Sequence, residues 1–183
     1  KAFTSQVAAM TIFGLMLAQA KGVGSKQRSE YITELDALPR EIEKVLEKHE
    51  AEVKKLAKKY AKYDHALYVG RDTAYPIAME GSLKLKEVSY VHAERYPAGE
   101  LKHGSIALVD DQFFELFCLL DNWLYEKSQS NLTEMNARGA HAIVITDTAR
   151  RVAAEAVVRI NTRLKILTPL LCNVVSQLLA YYI

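Results

Sequence analysis

The chain has 183 residues, 50% of them hydrophobic and 25% charged, with a formal net charge of +2. That size allows one domain with a sizeable core, or one domain plus an appended helical piece. The near-neutral balance gives no basic footprint for nucleic acid, and two isolated cysteines, Cys118 and Cys172, make neither a disulfide framework nor a metal site.

A reduced, cytoplasmic setting fits this cysteine usage. The five histidines form no H-x-H or H-x-x-x-H pair, so no metal is expected. The chain opens on Lys1 without an initiator Met and ends at Ile183 inside an apolar run. It is expected to be an excised piece of a longer polypeptide.

Residues 5–20 read as a largely buried helix. Gln6 and Gln19 interrupt its apolar run, which is too short to span a membrane. Residues 21–29 form a polar, Gly-containing break. Two amphipathic helices are expected next, over 30–48 and 50–63. Ile32, Leu35, Leu38, Ile42, Val45 and Leu46 mark the apolar face of the first, and Val53, Leu56, Ala57 and Tyr60 that of the second. Pro39 bends or starts the first. The lysines of 54–62 form a solvated outer face.

The pattern changes at Asp64. Residues 65–70 (HALYVG) have the short apolar run of a buried parallel strand. Arg71 to Thr73 make a turn, Pro76 suits a first helical turn, and a helix is expected over 75–91. Residues 98–105 (AGELKHGS) carry no clear period. Residues 105–109 (SIALV) and 113–120 (FFELFCLL) are candidate strands. A helix is expected over 124–138, stopped at Arg138-Gly139. Residues 141–146 (HAIVIT) make a second buried strand, and 157–160 a short one. A last apolar helix opens at Pro169 and Leu170. Strands alternating with helices imply an α/β fold with βαβ units and a parallel sheet flanked by helices on both faces. The division is an N-terminal helical segment, 1–63, and an α/β domain, 64–183.

Chemistry concentrates on the helix that begins near residue 75. At about 100° per residue, Glu80, Lys84 and Glu87 fall on one stripe. Ile77 and Val88 flank it on one side and Leu83 on the other, with Val91 in line. Two readings fit. The stripe is an ordinary Glu–Lys ladder at i,i+3 and i,i+4 spacing. Alternatively, an apolar frame shields the charges from water, which turns a carboxylate into a useful general base. Glu87 is then the best base candidate, with Lys84 holding it ionised. His103, between Lys102 and Gly104, is either a proton shuttle or an exposed loop histidine. His92 and Glu94 read as a helix-end contact and a surface charge, and Glu100 as a residue that caps or orients the loop. No G-x-S-x-G elbow, Walker loop or G-x-G-x-x-G turn is present.

The stretch YPIAMEGSLKLKEVSYVHAERYPAGELKHGSIALVD resembles the isomerase module of the glutamine–fructose-6-phosphate aminotransferase family. KAFTSQ, HALYVGR and SQLLAYYI are similar to that family too. The resemblance implies the end of one sugar isomerase (SIS) domain, a helical connection and then a second SIS domain, each domain a doubly wound α/β unit with a parallel sheet. It implies formation of glucosamine 6-phosphate from fructose 6-phosphate and ammonia, with the ammonia released from glutamine by a separate glutaminase domain. Residue by residue, it makes Glu87 the base that moves a proton between C1 and C2. Lys84 becomes the stabiliser of the enolamine-type intermediate, so Lys84 and Glu87 both face the substrate. His103 becomes the ring-opening histidine, donated across a homodimer interface. It implies no metal or redox cofactor, no nucleic acid and no membrane.

Three parts depart from the family. Its Ser/Thr-rich phosphate loops would lie upstream of Lys1. Its Schiff-base lysine would lie beyond Ile183. Residues 112–130 fit its pattern poorly, since a Pro-containing strand and then a loop are expected there. The isolated chain is accordingly expected to be inactive. Two alternatives stand beside this reading: a non-catalytic sugar-phosphate-binding SIS module of a regulator, and an amino-sugar-phosphate deaminase or deglycase.

Overall fold

The computed structural model describes residues 2–183. Lys1, which opens the KAFTSQ stretch, lies outside them. The elements are α1 (Phe3–Ala20), α2 (Ser25–Tyr60), β1 (His65–Gly70), α3 (Ala74–Ser89), β2 (His92–Pro97), two 3-10 helices (Ala98–His103 and Ser105–Leu108), β3 (Phe113–Leu119), α4 (Tyr125–Asn136), β4 (His141–Thr146), β5 (Ala156–Arg159) and α5 (Thr168–Tyr182). The five strands are parallel and lie in the order β2-β1-β3-β4-β5. The chain steps one way from β1 to β2 and the other way from β3 onward, which is a doubly wound sheet.

Burial on both faces explains the strands. Leu67, Val69, Phe117, Leu119, Ala142 and Val144 pack with Leu132 and Met135 of α4 on one face. Ala66, Tyr68, Phe114, Leu116, Cys118, Ile143 and Ile145 point the other way, into a larger core with α2, α3 and α5. Cys118 and Cys172 are both buried and free.

Several expected elements differ. The helices expected over 30–48 and 50–63 are one helix of 36 residues with Pro39 inside. No glycine breaks the chain near residue 49. His49 continues the buried stripe of Val45 and Val53, its ring Nδ1 3.0 Å from Glu52 Oε2. The break expected over 21–29 shrinks accordingly to four residues. Helix α1 has no buried residue, against the expectation of a core helix. It touches the core only through partly buried Phe3 and Val7, and Met10, Phe13 and Met16 are exposed. Among the described residues it is the helix that reaches the length and hydropathy of a membrane span. The SIALV stretch is a 3-10 helix rather than a strand, entered through Gly104 at φ 137°. Strand β2 was not expected from the sequence. It is an edge strand, hydrogen-bonded on one side only, so its residues need no apolar run.

Helices α2 and α5 are joined by a cap across a long sequence distance. The backbone N–H groups of Lys165, Ile166 and Leu167 donate to the Glu34 carboxylate, each at 2.9 Å. These donors lie in the turn that leads into α5, up to its N-cap residue Leu167, and a carboxylate there also answers the helix dipole. The N-terminal helical segment is thereby fixed to the sheet's last helix.

Candidate active site

Helix α3 carries the charged stripe, and its seating follows from one glycine. Ala74, Ala78, Gly81 and Leu85 recur at helical spacing and face β1 and α5. A Cβ on Gly81 would stand 2.2 Å from Ser176 Oγ of α5 and 2.7 Å from Tyr68 Cε1 of β1. Only glycine lets the three elements approach this closely. The helix ends at Tyr90, whose φ of 61° reverses the chain toward β2.

The stripe beside this packed face holds Glu80, Lys84 and Glu87. Lys84 Nζ lies 2.5 Å from Glu87 Oε2 and 3.8 Å from Glu80 Oε1. The Glu80 side chain is 10% exposed, that of Lys84 20% and that of Glu87 52%. Lys84 is thus an ammonium held between a buried and an outer carboxylate. The hydrogen bond that Lys84 donates to Glu87 is the main reason that its pKa rises above the usual lysine value, and the charge on Glu80 adds to it. The cation persists at any physiological pH.

The alignment of the three charges is as expected, but the apolar frame is not. Ile77 is buried, whereas Leu83 and Val88 are exposed, so Glu87 is open to solvent along one side. The reason is rotational. Leu83 and Glu87 lie on the outer arc of α3, opposite Ala78 and Leu85, and Val88 is exposed in the last turn of the helix, next to its end at Ser89. Glu80 turned out to be the shielded member of the trio. Its i,i+4 spacing to Lys84 was the signal for that partnership.

His103 does not join this cluster. Strand β2 begins with His92 beside His65, the first residue of β1, and ends with Pro97 beside Gly70, the last. Glu87 lies just before that start and His103 just after that end. Strand β2, six residues and about 20 Å long at the rise of a strand, runs between them in the chain. His103 is 71% exposed at the carboxyl end of the sheet, its Nδ1 2.6 Å from Glu100 Oε2. Glu100 therefore orients the ring. His92 Nε2 sits 3.3 Å from Glu94 Oε1, and Tyr96 donates to the same carboxylate. His92 opens β2 instead of closing a helix.

A groove of about 1030 Å³ runs between α1 and α2, lined by Phe3, Val7, Met10, Leu15, Tyr31 and Ile166 among others. A polar one of about 860 Å³ lies beyond the carboxyl ends of β4 and β5, beside Arg40, Lys44, Asp147 and Arg163. Neither is lined by Lys84, Glu87 or His103.

Comparison with known proteins adds the following. Residues 59–183, more than half of the chain, match the SIS domain. The whole chain aligns with glutamine–fructose-6-phosphate aminotransferase [isomerizing] of Haemophilus influenzae at 41% identity, covering 30% of that protein. The relative from Bacteroides thetaiotaomicron is 39% identical over an equal share. The chain therefore spans about a third of the length of these relatives. The C-terminal domain of glucosamine-fructose-6-phosphate aminotransferase from Francisella tularensis superposes with a TM-score of 0.92 and 35% identity, over 99% of this chain and 52% of that one.

Proposed function

This chain belongs to the SIS domain family, and on that premise we propose that it is the sugar-isomerising part of a glutamine–fructose-6-phosphate aminotransferase. The observation that carries the proposal is the Glu80–Lys84–Glu87 arrangement, standing within a stretch similar to that family over 36 uninterrupted residues, 75–110. In this reading His103 helps to open the cyclic sugar by acid–base transfer. Ammonia, released from glutamine by a glutaminase domain of the full-length protein, condenses with the ketone carbon, C2. Glu87 takes the proton from C1 and returns it to C2, which converts a ketose derivative into glucosamine 6-phosphate. Lys84 faces the negative charge that develops during the transfer. Each step is proton transfer, condensation or loss of water, so atoms and electrons balance without an oxidant.

Two features of the geometry favour an assembly. Glu87 is open on one side, and a base at work needs a closed, water-poor wall. His103 is a strand length away from Glu87 and so cannot serve the same site. We therefore assign His103 to the neighbouring site of a homodimer, in a cytoplasmic, reducing setting. The remaining wall and the phosphate contacts come from parts of the relatives outside this chain, and the isolated chain has little or no turnover.

The half-open Glu–Lys pair is also what an ordinary surface ladder looks like, which favours one rival: a non-catalytic SIS module that only binds a phosphosugar. Mixed dimers separate the two. In the full-length enzyme, Glu87→Gln and His103→Ala are each expected to be inactive. Co-refolding them regenerates roughly a quarter of wild-type activity, because half of randomly paired dimers carry one intact site of two. Continued inactivity of the mixture would remove the assignment across subunits. Turnover unaffected by either substitution would favour the binding module.

A further inference from the structure

We propose that Glu115 is a pH-responsive element of this fold: the folded sheet holds it as the neutral acid, and its ionisation loosens the core between the sheet and α4. Glu115 sits in β3, the central strand, and none of its surface reaches solvent. Neither carboxyl oxygen has a hydrogen-bond partner of normal geometry. Its register neighbours are Leu67 on β1 and Ala142 on β4, both buried and apolar. Alternation along the strand puts it on the side of Phe117 and Leu119, which pack with Leu132 and Met135 of α4.

The charged and titratable groups around it do not help an anion. Asp110, in the loop before β3, and Glu155, before β5, both oppose its ionisation. Tyr60, at the end of α2, is the other titratable group whose charge couples to it. The Lys59 ammonium and the His141 ring are engaged by Glu155 instead. The backbone N–H of His141 offsets only part of the burial cost. Together, burial first and then the acidic neighbours push the Glu115 carboxyl up to about 8.

The sign follows. An unfolded glutamate ionises near 4.5, so between that value and about 8 the folded chain holds one proton more than the unfolded chain. Stability therefore falls as pH rises, by about tenfold in the folding constant per pH unit across that window. Below it the effect is absent. Glu115 plays no part in the proposed chemistry, and it lies in the stretch that departs from the family pattern.

The test is urea unfolding of the 183-residue chain and of Glu115→Gln at several pH values from about 5 to 9. Glutamine keeps the shape and cannot ionise. The wild type is expected to lose about tenfold per unit relative to the variant between about pH 5 and pH 8. A ratio independent of pH would overturn the proposal. A second readout does not depend on the variant folding. The carboxyl carbon of Glu115, followed by ¹³C NMR in the native chain, is expected to titrate near 8. A midpoint near 4 would overturn it.

Discussion

Glu87→Gln in the full-length aminotransferase is expected to lower turnover of fructose 6-phosphate and glutamine by about 10²- to 10⁴-fold, the range that a general base contributes. Glutamine has nearly the same shape but cannot accept the proton. The side chain is half-exposed and packs little core, so stability is expected to change by less than about 0.5 kcal/mol. Phosphosugar affinity should stay within a few fold, because the phosphate contacts lie elsewhere. Exchange of the C1 hydrogen with deuterated solvent should disappear together with turnover. Lys84→Met tests the partner. It removes the cation shared by Glu80 and Glu87, and it leaves Glu80 buried without a counter-charge. Its effect therefore includes a loss of stability that Glu87→Gln does not show. The two measurements, unfolding and turnover, separate a base from a merely structural pair.

Gly81→Ala is expected to destabilise the chain by about 2 kcal/mol, within the range for overpacked cores. Alanine is the better helix former by up to about 1 kcal/mol, so intrinsic propensity alone predicts the opposite sign. Packing decides. Ser176 Oγ can rotate away from the new methyl, but the Tyr68 ring, fully buried in β1, cannot. Helix α3 must then shift outward, carrying Glu80 and Lys84 with it. Ser176→Ala removes the nearer of the two obstructing atoms and is expected to recover part of the loss in the double variant. Chemical denaturation checks both values. A stabilised Gly81→Ala chain would show that α3 is not seated on α5 as described.

The parts of the fold that rest on hydrophobic runs were legible in the sequence. HALYVG and HAIVIT are strands over the full expected lengths, because a parallel strand buried on both faces has little choice of residue. The edge strand HAERYP escaped notice because one side of it meets solvent and no apolar pattern is imposed. Helix α1 misled in the other direction. Its composition is that of a core helix, yet composition does not say what covers it, and Met10, Phe13 and Met16 lie open. The Glu34 cap on α5 joins residues more than 130 positions apart, beyond any local signal.

The site shows the same division. Spacing alone brought Glu80, Lys84 and Glu87 into contact, because i,i+3 and i,i+4 neighbours meet on any helix. Spacing did not tell which side of that stripe faces the core. Leu83 and Val88 were expected to wall it off, yet Leu83 lies exposed because α3 turns Ala78 and Leu85 inward, and Val88 lies exposed in the last turn of the helix. Likewise, nothing local in GELKHG says that His103 ends up a strand length from Glu87. That follows from the parallel pairing of β2 with β1.

The most direct measurement is a structure of the full-length protein, in the proposed homodimer, with fructose 6-phosphate or a stable analogue bound. Glu87 is expected to place a carboxylate oxygen within about 3 Å of the hydrogen path between C1 and C2, with water excluded and His103 of the neighbouring subunit at the ring oxygen. A sugar bound elsewhere, with Glu87 still half in solvent against Lys84, would contradict the assignment of that carboxylate as the base.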